Sequence, residues 1–329
     1  MITSHQGGTT ETIEEGVRVI RARRLPKLSP LRRYEDHLDS IPAAVWHLLR
    51  GRYDLVHAFH LSYAWAAVKA RRLGGPPVVY SFHGIPIRRY LVERRYRLEM
   101  LQTTLAGTAA VTVLSESAQD VFRRYLLLEP AVLPGGVFAS EFTASAARAQ
   151  APTLICTASL GDPRKRAGLL FSAFETLRSR RPDARLLVVR TPDPVMSPLE
   201  VQAPASVEWI DVDSNGELAQ AYTSSWATVL PAVGEAFGLV LVESLAAGTP
   251  VVAAGDGGGA EIIDGLAVGR LFEPDDEASL VDAMDDALEL AGDPATAEAC
   301  RARAARYDWD QVIAGYEQLY GSILGGEGR

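Results

Sequence analysis

The stretch GEAFGLVLVESLAAGTPVV, residues 234–252, sets Glu235 and Glu243 on either side of seven apolar or glycine positions. Upstream, WATVLPA (226–232) is an apolar run of strand length that stops at Pro231. Downstream, the pattern predicts a helix over 238–247, closed by Gly248 as a C-terminal glycine, with Pro250 opening the next strand, PVVAAG (250–255). Glu235 is therefore expected on the loop at the carboxyl end of a parallel strand, where open α/β sheets take ligands. Glu243 falls about one and a half turns into the helix. The amides of Gly238, Leu239 and Val240 have no intrahelical acceptor at such a helix start and favour an anion, a diphosphate above all. One short stretch thus predicts a phosphate site and two carboxylates around one crevice.

The same alternation runs along the chain. GVRVIRA (16–22), DLVHAFH (54–60), PPVVYSFH (76–83) and AAVTVLS (109–115) read as strands, with helix-length segments such as 61–73 and 88–107 between them. A second series follows: TLICTAS (153–159), ARLLVVR (184–190), VEWIDV (207–212), then 226–232 and 250–255, with helices expected near 167–180, 215–223, 238–247 and 277–291. Runs apolar on both faces that alternate with helices indicate parallel sheets covered on two sides. The fold class is α/β, and two such series predict two Rossmann-like domains with a seam near FTASAARAQAPT (142–153).

The chain has 329 residues, 47% of them hydrophobic and 22% charged, enough for two domains with full cores. Its start, MITSHQGGTT, lacks the basic and apolar regions of a signal peptide, and no window approaches a membrane span, so the expected address is the cytoplasm. The two cysteines, Cys156 and Cys300, lie far apart without metal-ligand spacing and read as packing residues. No clustering of carboxylates suggests a metal site. The net charge of −8 divides into +6 over residues 1–145 and −14 over 146–329. Much of the positive charge sits in VRVIRARRLPKLSPLRR (17–33) and IRRYLVERRYRLEM (87–100), where arginines interleave with Leu, Ile and Tyr. Such segments serve either as solvated helix faces or as rests for an anionic surface, which leaves room for peripheral contact with the inner face of a membrane. No nucleic-acid-binding motif accompanies this charge, and nucleic acid is not expected as a partner.

With these residues in view, GEAFGLVLVESLAAGTPVVA resembles the E-x7-E signature of retaining glycosyltransferases of the GT-B fold, family 4 (glycosyl transferases group 1). YDLVHAFH, SFHGIP, VTVLSES, VLPGGVF, DPRKRAGLLFSAF, GDGGGAEII and YDWDQVIAGYEQLY agree in order and spacing, so the resemblance covers essentially the whole chain. It implies an acceptor-side domain over 1–145, a nucleotide-sugar-binding domain over 150–305 facing it across a cleft, and a C-terminal helix over 306–329 that packs back on the first domain. Family members open with a strand, a glycine-rich loop and a helix before anything like TSHQGG. The first domain is therefore expected to lack its first strand and helix, with the true start upstream of Met1.

The resemblance also implies roles. Glu235 would lie by the donor sugar, Glu243 would bind the ribose hydroxyls, and Lys165 would balance the charge of the departing diphosphate. The family carries an arginine five positions before that lysine, but this chain has Leu160, so Arg164 or Arg166 is expected to substitute. His83 resembles the histidine that faces the reacting sugar. Phe237, Gly238, Leu239 and Val240 would line the donor, and Gly258, among glycines 257–259, would let backbone approach the sugar. Glu261 and a base wall at Trp209–Asp211 are weaker candidates, and VVRTPDP (188–194) replaces a glycine-rich turn of the family. The implied reaction transfers a sugar from a nucleoside diphosphate sugar to a hydroxyl of a sugar, lipid or small-molecule acceptor with retention, without metal or cofactor. The alternatives are a weak or inactive nucleotide-binding relative and a nucleotide-sugar epimerase.

Overall fold

The computed structural model describes residues 1–5, 8–23, 38–143, 146–191, 200 and 202–326. Residues 24–33 of the first basic segment and 192–194 of VVRTPDP lie outside the described residues. The chain forms two compact units: Met1–Val113, Gln119–Val132 and Tyr316–Arg329 in the first, Leu114–Ala118 and Leu133–Gly315 in the second.

Among its described residues the first unit has two sheets. One joins β1 (Ile2–His5), β3 (Val17–Arg23) and β2 (Thr10–Glu14) in the order β1-β3-β2, with β1 parallel and β2 antiparallel to β3. The sequence pattern predicted only the middle strand of these. β2, TETIE, is exposed along its whole length and carries no apolar periodicity. Cross-strand ion pairs hold it, Arg18 with Glu11 at 2.6 Å and Arg21 with Glu14 at 2.6 Å. This ribbon departs from the expectation of parallel sheets covered on both faces. The other sheet is parallel throughout, in the order β4 (Val56–Ala58), β5 (Val78–Phe82), β6 (Ala110–Val113) and β7 (Ala131–Val132). A cavity of about 430 Å³, lined by Ile2, Ala44, Leu48, Val56 and Tyr63 among others, lies at β1 and β4.

Helix α2 (Leu61–Arg71) packs against both α1 (Ile41–Arg50) and α4 (Arg95–Gly107). Buried Ala64, Ala66, Ala67 and Ala70 make its close approach possible, and a Cβ on Gly107 would fall 2.3 Å from Val68 Cγ1. The single helix expected over 88–107 is two, because Arg94 adopts an extended conformation (φ −132°, ψ 113°) that separates α3 (Arg88–Glu93) from α4. α5 spans Glu116–Leu126.

The second unit contains one six-stranded parallel sheet, in the order β10 (Val207–Ile210), β9 (Arg185–Val189), β8 (Thr153–Cys156), β11 (Ala227–Leu230), β12 (Val251–Ala254) and β13 (Gly269–Phe272). β8, β11 and β12 are buried at every position, which explains their unbroken apolar composition. The helices are α6 (Ala167–Arg180), α7 (Asn215–Ser224), α8 (Leu239–Ala246), α9 (Gly257–Ile262), α10 (Glu277–Leu290), α11 (Thr296–Ala304) and α12 (Trp309–Gly326). From β8 the chain builds the sheet outward through β9 and β10, then returns to β8's other side with β11. That reversal makes the β8–β11 junction a topological switch point, the place where open parallel sheets bind ligands. No helix among the described residues is long and apolar enough to cross a membrane.

Candidate active site

Three loops meet at the carboxyl ends of β8, β11 and β12. After β8, the Asp162 carboxylate accepts from the Arg164 amide (2.9 Å) and caps the short 3-10 turn Pro163–Lys165. Arg166 then takes a left-handed conformation (φ 50°) at the start of α6. After β11, Gly234 (φ 64°) and Gly238 (φ 96°) bracket Glu235, and both conformations favour glycine. After β12 comes Gly255–Gly259, which abuts the Glu235 loop directly. Asp256 accepts from the Gly234 amide (3.0 Å), and the Gly258 amide donates to the Glu235 carbonyl (2.7 Å). A Cβ on Gly257 would stand 2.5 Å from the Glu235 carbonyl oxygen, and one on Gly258 would stand 2.5 Å from that of Ala236. These two glycines therefore act first on the protein itself: they let one backbone press against another and fix the Glu235 loop.

Lys165 and Glu235 form an ion pair through Nζ and Oε2, with both side chains mostly withdrawn from solvent. The flanking arginines are held elsewhere. Arg164 is paired with Asp162 at 2.6 Å, an interaction that raises its pKa, and Arg166 donates to Asp275 at 3.0 Å. Leu160 is 2% exposed and belongs to the apolar core, so that position contributes no charge.

Gly238 precedes α8, and the Leu241 amide turns back to its carbonyl (2.9 Å). Leu239 is exposed and Val240 half-buried at this helix start. Phe237 is buried, its ring 5.5 Å from that of Tyr307 in an edge arrangement, and it occupies the space that a Cβ on Gly135 would need. Its side chain thus anchors the loop. Glu243, on the second turn of α8, accepts from the Tyr222 hydroxyl (3.0 Å). Burial raises its pKa, and the tyrosine opposes that shift.

The weaker candidates divide. Glu261 is spent on structure: its carboxylate accepts from the Glu116 amide (2.9 Å), the Ser117 amide (2.7 Å) and the Ser117 hydroxyl (2.6 Å), capping the start of α5. Trp209 packs edge-on against Phe171, and Asp211 accepts from Arg190 (2.8 Å). Cys156 and Cys300 are buried, which pushes their thiols up to about 11 and about 12 and keeps them protonated.

His83 belongs to the first unit, one residue beyond β5, with its ring 5.2 Å from Phe59 and its pKa lowered by desolvation. Behind Phe59 lies His57, a residue that motif reading passed over. Its Nδ1 meets the Tyr320 hydroxyl (2.6 Å) and its Nε2 the Ser81 hydroxyl (2.6 Å), which in turn meets Thr112 (2.5 Å). Burial lowers the pKa of His57 to about 4, so the ring is neutral and needs one donor and one acceptor among these partners. Asp256 and Tyr222 were missed likewise. Asp256 differs from its glycine neighbours only in carrying a carboxylate, and Tyr222 lies 21 residues from the glutamate it touches.

Comparison with known proteins agrees with this geometry. The sequence profile described as "Glycosyl transferases group 1" matches residues 140–307, slightly more than half of the chain, and that of "Glycosyltransferase Family 4" matches residues 1–141. A phosphatidyl-myo-inositol mannosyltransferase of Mycobacterium leprae is 28% identical, over 84% of this chain and 75% of the relative. A D-inositol 3-phosphate glycosyltransferase of Actinosynnema mirum is 28% identical, over 82% and 73%. Among solved structures, a sucrose-phosphate synthase from Thermosynechococcus elongatus superposes with a TM-score of 0.77 at 21% identity, over 97% of this chain and 86% of the other. The Anabaena protein HepE in complex with UDP gives 0.75 at 19%, over 92% and 86%. The fold is GT-B, and transferase activity is favoured over epimerisation or mere nucleotide binding. The chain belongs to the glycosyl transferases group 1 family of GT-B glycosyltransferases.

Proposed function

We propose that the protein transfers a sugar from a nucleoside diphosphate sugar to an acceptor hydroxyl with retention of anomeric configuration, using the second unit as its donor site. The observation that carries this reading is the Lys165–Glu235 ion pair at the switch point, beside the start of α8, with Glu243 further along the same helix. Lys165 is the cation of its triplet that engages a site carboxylate, and it neutralises charge on the departing diphosphate together with the amides of Gly238, Leu239 and Val240. Glu235, already held by Lys165 and by the glycine loop, accepts from the sugar hydroxyls. Glu243 accepts from the ribose. Gly258 keeps the Glu235 backbone at the donor, and Arg164 and Arg166 add positive potential while paired to Asp162 and Asp275.

His83 orients the sugar or acceptor as a neutral hydrogen-bonding group. The leaving phosphate takes the acceptor proton as the new glycosidic bond forms on the face the nucleotide leaves, so no protein base is required. The acceptor is a lipid, a polysaccharide or a small metabolite. Inositol-bearing compounds come first, because the names of the two relatives described above contain inositol. We place the activity in the cytoplasm, with peripheral membrane contact through the exposed arginines of 87–100, Arg88, Arg89, Arg94 and Arg95, where the acceptor is a lipid.

Incubation with a panel of nucleoside diphosphate sugars and inositol-bearing acceptors tests the reading. Nucleoside diphosphate release coupled to an α-linked product from an α-linked donor, assigned by NMR coupling constants, is expected. A β-linked product would refute retention.

A further inference from the structure

We propose that Tyr222 is a positioning residue for nucleotide binding: its hydroxyl, itself held by Thr157, fixes the Glu243 carboxylate so that the remaining oxygen faces the ribose diol. The inference deepens the function proposed above and rests on Glu243 being the ribose acceptor.

Three elements contribute one group each. Thr157 follows β8, Tyr222 lies on α7 and Glu243 lies on α8. The distances are 2.8 Å from Thr157 Oγ1 to the Tyr222 hydroxyl and 3.0 Å from that hydroxyl to Glu243 Oε2. A phenol has one proton. Because Tyr222 donates to the carboxylate, Thr157 donates to Tyr222, and the polarity of the relay is fixed.

Tyr222 is fully buried and cannot swing to other partners. Its carbonyl also accepts from the Thr249 hydroxyl (2.8 Å), so backbone and ring are both pinned. Among the described residues Tyr222 is the side-chain hydrogen-bond partner of Glu243, and it satisfies one oxygen of the two. A cis-diol presents two donors on one side, and a carboxylate locked about its terminal torsion receives them without first losing rotational freedom. A purely structural tyrosine needs only a partner for its hydroxyl, which Thr157 alone supplies. The second bond, to the carboxylate of the E-x7-E pair, is what gives Tyr222 a role toward ligand.

Isothermal titration of a UDP, GDP, ADP, CDP and dTDP panel identifies the tightest nucleotide, and the same titration with inorganic pyrophosphate supplies a probe that has no ribose. Tyr222→Phe is expected to weaken the nucleotide roughly tenfold, the size of one lost bond to a charged group. It should leave pyrophosphate affinity and kcat at saturating donor unchanged. Thr157→Val, which keeps the tyrosine and serves if Tyr222→Phe does not fold, should weaken the nucleotide about threefold by freeing the phenol. In a Glu243→Ala background, Tyr222→Phe should cost nothing further. Equal losses for nucleotide and pyrophosphate, or full additivity with Glu243→Ala, would overturn the positioning role. An unchanged nucleotide affinity for Glu243→Ala alone would instead overturn the ribose assignment, so the two failures are distinct.

Discussion

The two units solve the problem of order differently. The second wraps six parallel strands in one continuous core that includes Leu154, Ile155, Leu186, Leu230, Val252 and Phe272. Among the described residues the first divides its strands between two sheets and gathers only part of its buried apolar side chains into clusters, two small ones around Val68 and Leu101. Where apolar packing is thin, polar contacts take over. His57, Ser81 and Thr112 join the parallel sheet to Tyr316 and Tyr320 of α12. The contrast teaches that the residues proposed to bind the donor, Lys165, Glu235 and Glu243, stand on the unit whose backbone is set by a deep core, whereas the first unit includes a hydrogen-bond network centred on a histidine.

The largest effect that sharpens this contrast is chemical. Lys165→Ala is expected to lower kcat about 10²- to 10³-fold, the range for removing one preorganised charge partner of a developing anion, in steady-state assays of nucleoside diphosphate release. A kcat within twofold of the parent would separate the rigid unit from the chemistry. Next is the close packing of loops. Gly258→Ala should cost about 2–3 kcal/mol, because its Cβ would meet the Ala236 carbonyl at 2.5 Å, and calorimetry should show a melting temperature lowered by roughly 5–10 °C. Gly265→Ala, where nothing lies within 4 Å, should leave it within a degree or two.

The smallest effect belongs to the first unit. His57 has its pKa depressed from 6.5 to about 4, so the unfolded chain binds the proton more tightly. Stability should therefore be fully present above pH 6.5 and decline as pH falls from 6.5 toward 4, by about 1 kcal/mol once the water-accessible part of the ring is discounted. Urea titrations at pH 7 and pH 4.5 should show that difference in the parent and lose it in His57→Gln. An identical pH dependence in both would deny the histidine this part.

The second unit was also the more legible in sequence. Its strands at 153–156, 185–189, 227–230 and 251–254 are buried apolar runs, and the apolar signal names them. β13, with Arg270 in an edge strand that is only partly buried, carries no such run. α9 opens on three glycines that read as a turn, since burial against the Glu235 loop, not helix propensity, orders them. In the first unit β2 has Ile13 as its single apolar residue, and that side chain is exposed, while α3 and α4 part at an arginine with no proline or glycine to mark the break. For the site, the loop position of Glu235 followed from strand ends and spacing, and Lys165 followed from the family resemblance. The capture of Arg164 by Asp162 is local, but the Lys165–Glu235 pair and the Thr157–Tyr222–Glu243 relay join residues far apart in the chain. Only the sheet order brings those together.

The claim on which the rest depends is that a nucleoside diphosphate binds the second unit at the β8–β11 switch point. A crystal structure of the protein with its tightest-binding nucleoside diphosphate tests it most directly. The account predicts the terminal phosphate within hydrogen-bond distance of Lys165 Nζ and of the amides at the start of α8, with the ribose diol on Glu243. A nucleotide bound away from Lys165 and Glu243 would contradict it.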